Sequence, residues 1–312
     1  MEKYVITLDE FLALPTEEVA QRVRAAGPQV FVFPINGTRR WFTLEYGKCD
    51  WDDPIAAFMD IASQNHTELY RLFFEHGIKT LITPVIGEEI LTRGESYMGR
   101  IGADGYARLA SGEDFLHFYD EFDVRVRFYG NYRDALTGTA YSHLIDQFDA
   151  ITTKTIHHNT YRLFFGAFAD NSSAWIGRMA VEHFQKFGEI PDQHVLVESY
   201  YGEYVEPVSV FIGFDKLSVF DYPLLGTGEE DLYFTVAPSP YMTARQLRII
   251  LYDHLFTRRV PGIDYNELST SGRIQLRKFY TDNKDNILGT GELMENIWVP
   301  HLANTKRNRY DR

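Results

Sequence analysis

The sequence predicts an α/β fold: a single central sheet, parallel or mostly parallel, flanked by helices. Two observations carry this expectation. Short apolar runs rich in β-branched and aromatic residues alternate, almost from end to end, with longer segments whose apolar residues recur at helical spacing, which is the pattern of strand, crossover helix and strand. There is also no internal repeat and no low-complexity linker. Residues 1–300 are therefore expected to form one domain with a substantial core, followed by a flexible tail at 301–312, where Lys306 to Arg312 is polar and basic.

In chain order, Leu8 to Ala26 reads as one amphipathic helix stopped by Gly27-Pro28. The run Val30 to Ile35 is a buried strand. Pro54, a good first helical residue, opens a helix to Gly77 with Ile55, Phe58, Met59, Ala62, Leu69, Leu72 and Phe73 on its apolar stripe. Thr80 to Ile86 is a strand. A helical stretch from Glu88 to about Leu109, interrupted by Gly99, Gly102 and Gly105, precedes a second helix from Glu113 to Phe122. Val124 to Tyr129 is a strand, Ser142 to His157 a helix, Tyr161 to Phe168 a strand and Ala174 to Phe187 a helix. Val208 to Phe214 and Leu232 to Val236 supply two more strands. Thr243-Ala244-Arg245-Gln246 fits a capping box, and Asn266 to Tyr280 is helical before an irregular tail.

Composition narrows the function. A net charge of −13 argues against a general nucleic-acid surface, and an anionic ligand would need a local positive pocket. No apolar run approaches the roughly 20 residues that a membrane span requires, and the start lacks a basic n-region with an apolar core, so the cytoplasm is the expected location. Cys49 is the only cysteine, which rules out an internal disulfide and a thiolate metal cluster. The 23 Phe and 20 Tyr fit either ordinary core packing or the lining of an apolar cavity.

One stretch combines charge with grease. Phe31-Val32-Phe33-Pro34-Ile35-Asn36-Gly37-Thr38-Arg39-Arg40-Trp41-Phe42 reads as a buried strand opening into a glycine-containing loop with two adjacent arginines. Gly37 permits a tight turn and a close backbone approach, and two guanidiniums offer planar forks suited to phosphate oxygens. The bland reading is a solvated surface loop. Against it, Trp41 and Phe42 set the arginines beside a large apolar surface, which suits a ligand with both an anionic and a hydrophobic part. In open α/β sheets ligands lie beyond the carboxyl ends of the strands, where this loop is expected.

Asn36-Gly37-Thr38-Arg39-Arg40-Trp41 resembles the opening Asp-Gly-Asn-Gly-Arg-Trp motif of the cis-prenyltransferases, the undecaprenyl diphosphate synthase family. Lys216-Leu217-Ser218-Val219-Phe220, followed by Leu232-Tyr233-Phe234-Thr235, resembles that family's closing Arg-x-Ser-x-Phe segment and the strand after it. The chain is more similar still to the divergent branch of tuberculosinol synthase (tuberculosinyl adenosine transferase) and kolavelool synthase, through Phe74-Glu75-His76-Gly77-Ile78, Tyr200-Tyr201-Gly202-Glu203-Tyr204-Val205, Phe211-Ile212-Gly213-Phe214 and Leu251-Tyr252-Asp253-His254. The likeness runs in the same order from roughly Asp9 to Trp298.

The resemblance implies a parallel sheet, a homodimer and a tunnel for an isoprenoid tail. It implies ionisation of a bicyclic diterpenyl diphosphate and capture of the cation by water or by adenosine. Carried over residue by residue, it places Asn36, Arg39, Arg40 and Tyr97 in the chemistry, and Gly37, Thr38, Arg39, Arg40, Lys216 and Ser218 around the diphosphate. It offers Asn36 as a partner for Mg²⁺, although relatives carry Asp there and Asn lacks the charge that Mg²⁺ favours. The first arginine of the closing motif is absent and Lys216 replaces the second, so chain elongation with a second diphosphate is not expected. A non-catalytic partner subunit of a prenyltransferase is the alternative from another class; retention of Arg39, Arg40, Tyr97, Lys216 and Ser218 together speaks against it.

Other motifs resolve simply. Asp50-Trp51-Asp52-Asp53 suits a helix N-terminus better than an alkene-protonating acid. His157-His158 lacks a metal-ligand pattern, and Gly226-Thr227-Gly228 is a turn, not a phosphate loop.

Overall fold

The computed structural model describes residues 6–27, 29–87, 102–169, 172–259 and 264–302. Its helices are α1 (Leu8–Ala13), α2 (Thr16–Ala25), α3 (Thr38–Tyr46), α4 (Pro54–Glu75), α5 (Asp104–Ser111), α6 (Glu113–Glu121), α7 (Tyr132–Leu136), α8 (His143–Lys154), α9 (Ser172–Phe187), α10 (Gln193–Tyr201), α11 (Ala244–Tyr252) and α12 (Thr270–Asn283). Between them run β1 (Val30–Val32), β2 (Thr80–Ile86), β3 (Val124–Tyr129), β4 (Tyr161–Ala167), β5 (Val210–Phe214), β6 (Asp231–Thr235), β7 (Gly291–Met294) and β8 (Ile297–Pro300).

β1 to β6 form one sheet in the order β3-β4-β2-β1-β5-β6, with every pairing parallel. Side chains alternate across a strand, and both faces here are buried. Phe31 and Phe33 enter the layer built by α4, α6 and α8, with Tyr70, Phe73, Phe118 and Phe148. Val30 and Val32 enter the opposite layer with Val197, Tyr200 and Tyr201 of α10. Burial on both faces is why the strands read as unbroken apolar runs rather than as alternating ones. From β1 at the centre the chain passes to β2, on to β3 at the edge and back to β4 between them. It then crosses to β5 on the other side of β1 and to β6 at the far edge, so the carboxyl ends of β1 and β5 are neighbours. The abundant aromatics serve mainly as core: Tyr70, Tyr119, Tyr129 and Tyr201 are fully buried.

Several expectations need correction. The first helix is two, because Pro15 disfavours helical geometry at Leu14 and Leu14 is extended there; α1 starts at a Thr7/Glu10 capping box. The arginines lie on the first turn of α3 and not in a loop. The C-terminal part has, besides α12, the antiparallel hairpin β7-β8, where the sequence suggested irregular chain. The expected helix from Glu88 falls largely outside the described residues; its described end is α5. Elsewhere the local chemistry holds. Asp53 caps α4, its Oδ1 accepting from Ile55 and Ala56 N–H at 3.0 and 3.2 Å. Thr243 and Gln246 form the capping box of α11, and His158 is a buried histidine whose Nδ1 meets the Val124 carbonyl at 3.0 Å. No helix of the described residues is long and apolar enough to cross a membrane.

Candidate active site

Beyond β1 the chain passes through Pro34, Ile35 and Asn36 to Gly37, the N-cap of α3, at φ 78° and ψ 10°. Only glycine fits there. A Cβ would lie 2.8 Å from the Phe214 ring and 2.9 Å from Pro238 Cβ, and the left-handed backbone disfavours any L side chain. No side chain caps α3 and no acid occupies its first turn. Its leading N–H groups have no acceptor within the helix, and Thr38, Arg39 and Arg40 make up that turn. Free N–H donors and the positive end of the helix dipole thus meet at this turn, the arrangement that holds phosphate groups, and Arg39 and Arg40 add two guanidiniums to it.

Two tertiary contacts hold this cradle. Buried Ser239 accepts from the Asn36 N–H at 3.1 Å, donates its own N–H to the Asn36 carbonyl at 3.0 Å and donates its hydroxyl to the Pro34 carbonyl at 3.3 Å. Asp215, just past β5 at φ 69°, accepts from Arg40 Nη1 at 3.3 Å, and the Phe214 ring lies 5.1 Å from the same guanidinium. Arginine carries five N–H donors, so the Asp215 contact orients Arg40 and leaves most of its fork for a ligand.

A cavity of about 210 Å³ opens beside the cradle. Asn36, Thr38, Ser63 and His66 line its polar end, and Phe58, Met59, Val85, Tyr106, Leu109 and Phe115 are among its apolar lining. The Tyr106 hydroxyl donates to the Val85 carbonyl at 3.3 Å, which turns its polarity into the wall. A larger hollow of about 390 Å³ lies at the amino ends of β2 and β4, around Lys79, Thr80 and Arg162. There Arg162 is committed to Glu206 and Glu203 and Arg24 to Glu17, and the large aromatic lining that would receive a hydrophobic group is missing. The smaller cavity, at the carboxyl ends of the strands, is the candidate site.

The structure brings together Asn36, Gly37, Thr38, Arg39 and Arg40. Lys216 and Ser218 follow Asp215 on the same side but are exposed, and among the described residues their side chains make no hydrogen bond or ion pair with the cradle. Tyr97 lies outside the described residues. Asp215, Ser239 and His66 were not singled out from sequence. His66 had a legible signal: it continues the stripe Met59, Ala62, Ser63 at i, i+3, i+4 and i+7, the one face of α4 that lines the cavity.

The fit to Mg²⁺ is poor in protein ligands. Asn36 offers a neutral amide, and Asp215, the carboxylate of the cradle, is turned toward Arg40. Among the described residues no group of three or more His, Cys, Asp or Glu could hold a metal. Mg²⁺ ordinarily needs near-octahedral oxygen ligands, often with substrate phosphates among them.

No model of a protein family matches the chain. Among curated proteins it is similar to tuberculosinyl adenosine transferase of Mycobacterium tuberculosis, 39% identical over 296 residues that cover 94% of this chain and 98% of that protein. It is also similar to (+)-kolavelool synthase of Herpetosiphon aurantiacus, 27% identical over 300 residues covering 94% and 95% of the two chains. Solved structures share its fold, two of them as follows. One is lavandulyl diphosphate synthase from Lavandula x intermedia with dimethylallyl diphosphate, at a TM-score of 0.60 and 12% identity over 76% of this chain and 98% of that one. The other is a probable undecaprenyl diphosphate synthase from Campylobacter jejuni, at a TM-score of 0.51 and 16% identity over 64% and 92%.

Proposed function

Because the chain belongs to the branch of the cis-prenyltransferase family that includes tuberculosinyl adenosine transferase and (+)-kolavelool synthase, we propose that it is a diterpene synthase. In this reading it ionises a bicyclic diterpenyl diphosphate, releases diphosphate and captures the allylic cation with water. The observation that supports this most directly is the junction of the uncapped, doubly arginine-bearing first turn of α3 with an aromatic-lined cavity. Such a junction fits an anionic head on a large hydrophobic body.

As the carbon–oxygen bond breaks, charge grows on the diphosphate oxygens. Donors already aimed at them lower the barrier without reorganising. The cation left behind lies against Phe58, Phe115 and Tyr106, whose ring faces attract positive charge without acting as nucleophiles. Capture at the tertiary end gives a kolavelool-like alcohol, and capture at the primary end a tuberculosinol-like one. The second reading, transfer to adenosine, rests on the name of the more similar curated relative. In either reading Mg²⁺, when bound, would be held through the diphosphate oxygens with Asn36 as its one candidate protein ligand, and would offset the charge of the leaving group. A partner subunit without activity is disfavoured by the intact cradle. The homodimer that the resemblance implies belongs to the same proposal; exposed Phe184 and Phe187 on α9 suit a contact between copies, and a monomeric mass by light scattering would refute it.

The test is mass spectrometry of products from the wild type and Asn36→Asp, each with a bicyclic diterpenyl diphosphate, with and without Mg²⁺ and adenosine. The wild type is expected to make a diterpene alcohol. With Mg²⁺, Asn36→Asp is expected to be faster by about tenfold, or about 1.4 kcal/mol of barrier, because a carboxylate adds the charge that the metal favours; without Mg²⁺ the same carboxylate repels the diphosphate and slows the reaction. If folded protein of both forms yields neither alcohol nor adenosine adduct, the synthase reading fails for that substrate.

A further inference from the structure

His66 is one of ten histidines, and its place in the fold is unlike that of a surface or core histidine. It sits on the cavity-facing stripe of α4, at the boundary where the cradle gives way to the apolar cavity. In any pose that puts a diphosphate on the first turn of α3 and a hydrophobic body in the cavity, the carbon that loses the diphosphate lies at that boundary. A nucleophile that captures the cation must be held there as well.

The contacts around His66 favour one tautomer. The Thr38 hydroxyl donates to the Ile35 carbonyl at 3.4 Å, so its single proton is used. Toward His66 Nε2, 3.5 Å away, that hydroxyl is then left as an acceptor, an arrangement that favours the ring proton on Nε2. Nδ1 then keeps its lone pair, and it has no hydrogen-bond partner among the described residues. The other polar groups of the cavity are poorer proton acceptors: Tyr106 has given its proton to Val85, Asn36 is an amide and Ser63 a neutral hydroxyl.

Resting on the synthase reading above, we propose that His66 is the base of the capture step, its Nδ1 holding the incoming water and taking that water's proton. The balance is simple. The carbon–oxygen bond of the substrate breaks and its electron pair leaves with the diphosphate. A lone pair of water forms the new carbon–oxygen bond, giving a protonated alcohol. His66 Nδ1 accepts the extra proton, and the imidazolium passes it to solvent as the products leave.

Desolvation suits His66 to this task. Burial pushes its imidazole down to about 4, so the ring is neutral near pH 7 and does not repel the cation formed next to it. A weak base is sufficient, since a protonated alcohol is a strong acid. Capture by a ring nitrogen of adenosine forms its bond with no proton to lose, so a base at this position favours water over adenosine as nucleophile.

The experiment compares the wild type with His66→Phe and His66→Leu, two variants of similar volume, on a bicyclic diterpenyl diphosphate in ¹⁸O-labelled water. The readout is labelled alcohol formed per diphosphate released. The expected result is a fall of about 10²-fold in that ratio, with diterpene hydrocarbons replacing the alcohol, because a protonated alcohol that finds no base reverts to the cation and is lost to elimination. An unchanged ratio in either folded variant overturns the assignment and points to the diphosphate as the base. A folded variant that releases no diphosphate overturns it as well, since ionisation precedes the proton transfer. The failure of the synthase reading is distinguishable, as it would appear as no diphosphate release from the wild type.

Discussion

Arg40→Ala is expected to lower the rate of diphosphate release by about 10²- to 10³-fold, the loss typical of removing one preorganised donor from a developing oxyanion. The size follows from placement. Arg40 is on the first turn of α3, its side chain is 35% exposed, and Asp215 holds one of its nitrogens at 3.3 Å. Its fork is therefore oriented before substrate arrives and need not be ordered during the reaction. The loss should fall on the single-turnover rate more than on substrate affinity, because the leaving group gains most of its charge in the transition state. Arg40→Lys keeps the charge and loses the planar fork, so it should recover part of the rate. Removing Arg40 also leaves Asp215 without its cation. Asp215 Oδ1 is already buried without a partner, so a further stability loss of about 1–3 kcal/mol is expected from leaving a carboxylate unsatisfied. Rate and melting temperature measured together separate the two effects. A folded Arg40→Ala that releases diphosphate at the wild-type rate would remove the cradle from the mechanism.

Gly37→Ala should be damaging for a purely geometric reason. The left-handed backbone costs an L residue about 1–2 kcal/mol, and overpacking against Phe214 and Pro238 adds about 1–3 kcal/mol. Relief of that crowding has to move the start of α3 or the ends of β5 and β6, and all of them carry parts of the site. A displacement near 1 Å costs about 10²-fold in rate, so activity should fall at least as far as stability does. Gly138 supplies the internal comparison: its φ is 77° and its added Cβ meets nothing within 4 Å, so Gly138→Ala carries the backbone cost alone. Equal losses of melting temperature in the two variants, with activity retained in Gly37→Ala, would show that the close approach at Gly37 is not what shapes the site.

How much of this was legible in the sequence depended on how local the cause was. Pro54 with Asp53, Thr243 with Gln246, and the six apolar strand runs each specify their element through neighbours a few residues away, and those elements form where the pattern puts them. Asn36 to Arg40 could be read as an anion site because strand, glycine and arginines are contiguous, even though Arg39 and Arg40 turned out to lie on a helix. The break at Pro15 and the hairpin β7-β8 were also local, but a continuous helical period hid the first and the absence of a buried face the second.

The rest is a matter of which strands become neighbours. Asp215 reaches Arg40 across 175 residues and Ser239 reaches Asn36 across 203, because β5 lies beside β1 in the sheet, an order that the alternation of helix and strand leaves open. The sequence alone determined a parallel α/β protein with a glycine turn and two arginines after its first strand, since backbone freedom, helical period and charge are properties of short segments. Only the tertiary structure decided that a carboxylate orients one arginine, that a buried serine fixes the turn, and that a histidine of α4 faces the apolar cavity beside them, since hydrogen bonds and burial depend on what the folded sheet brings within a few ångströms.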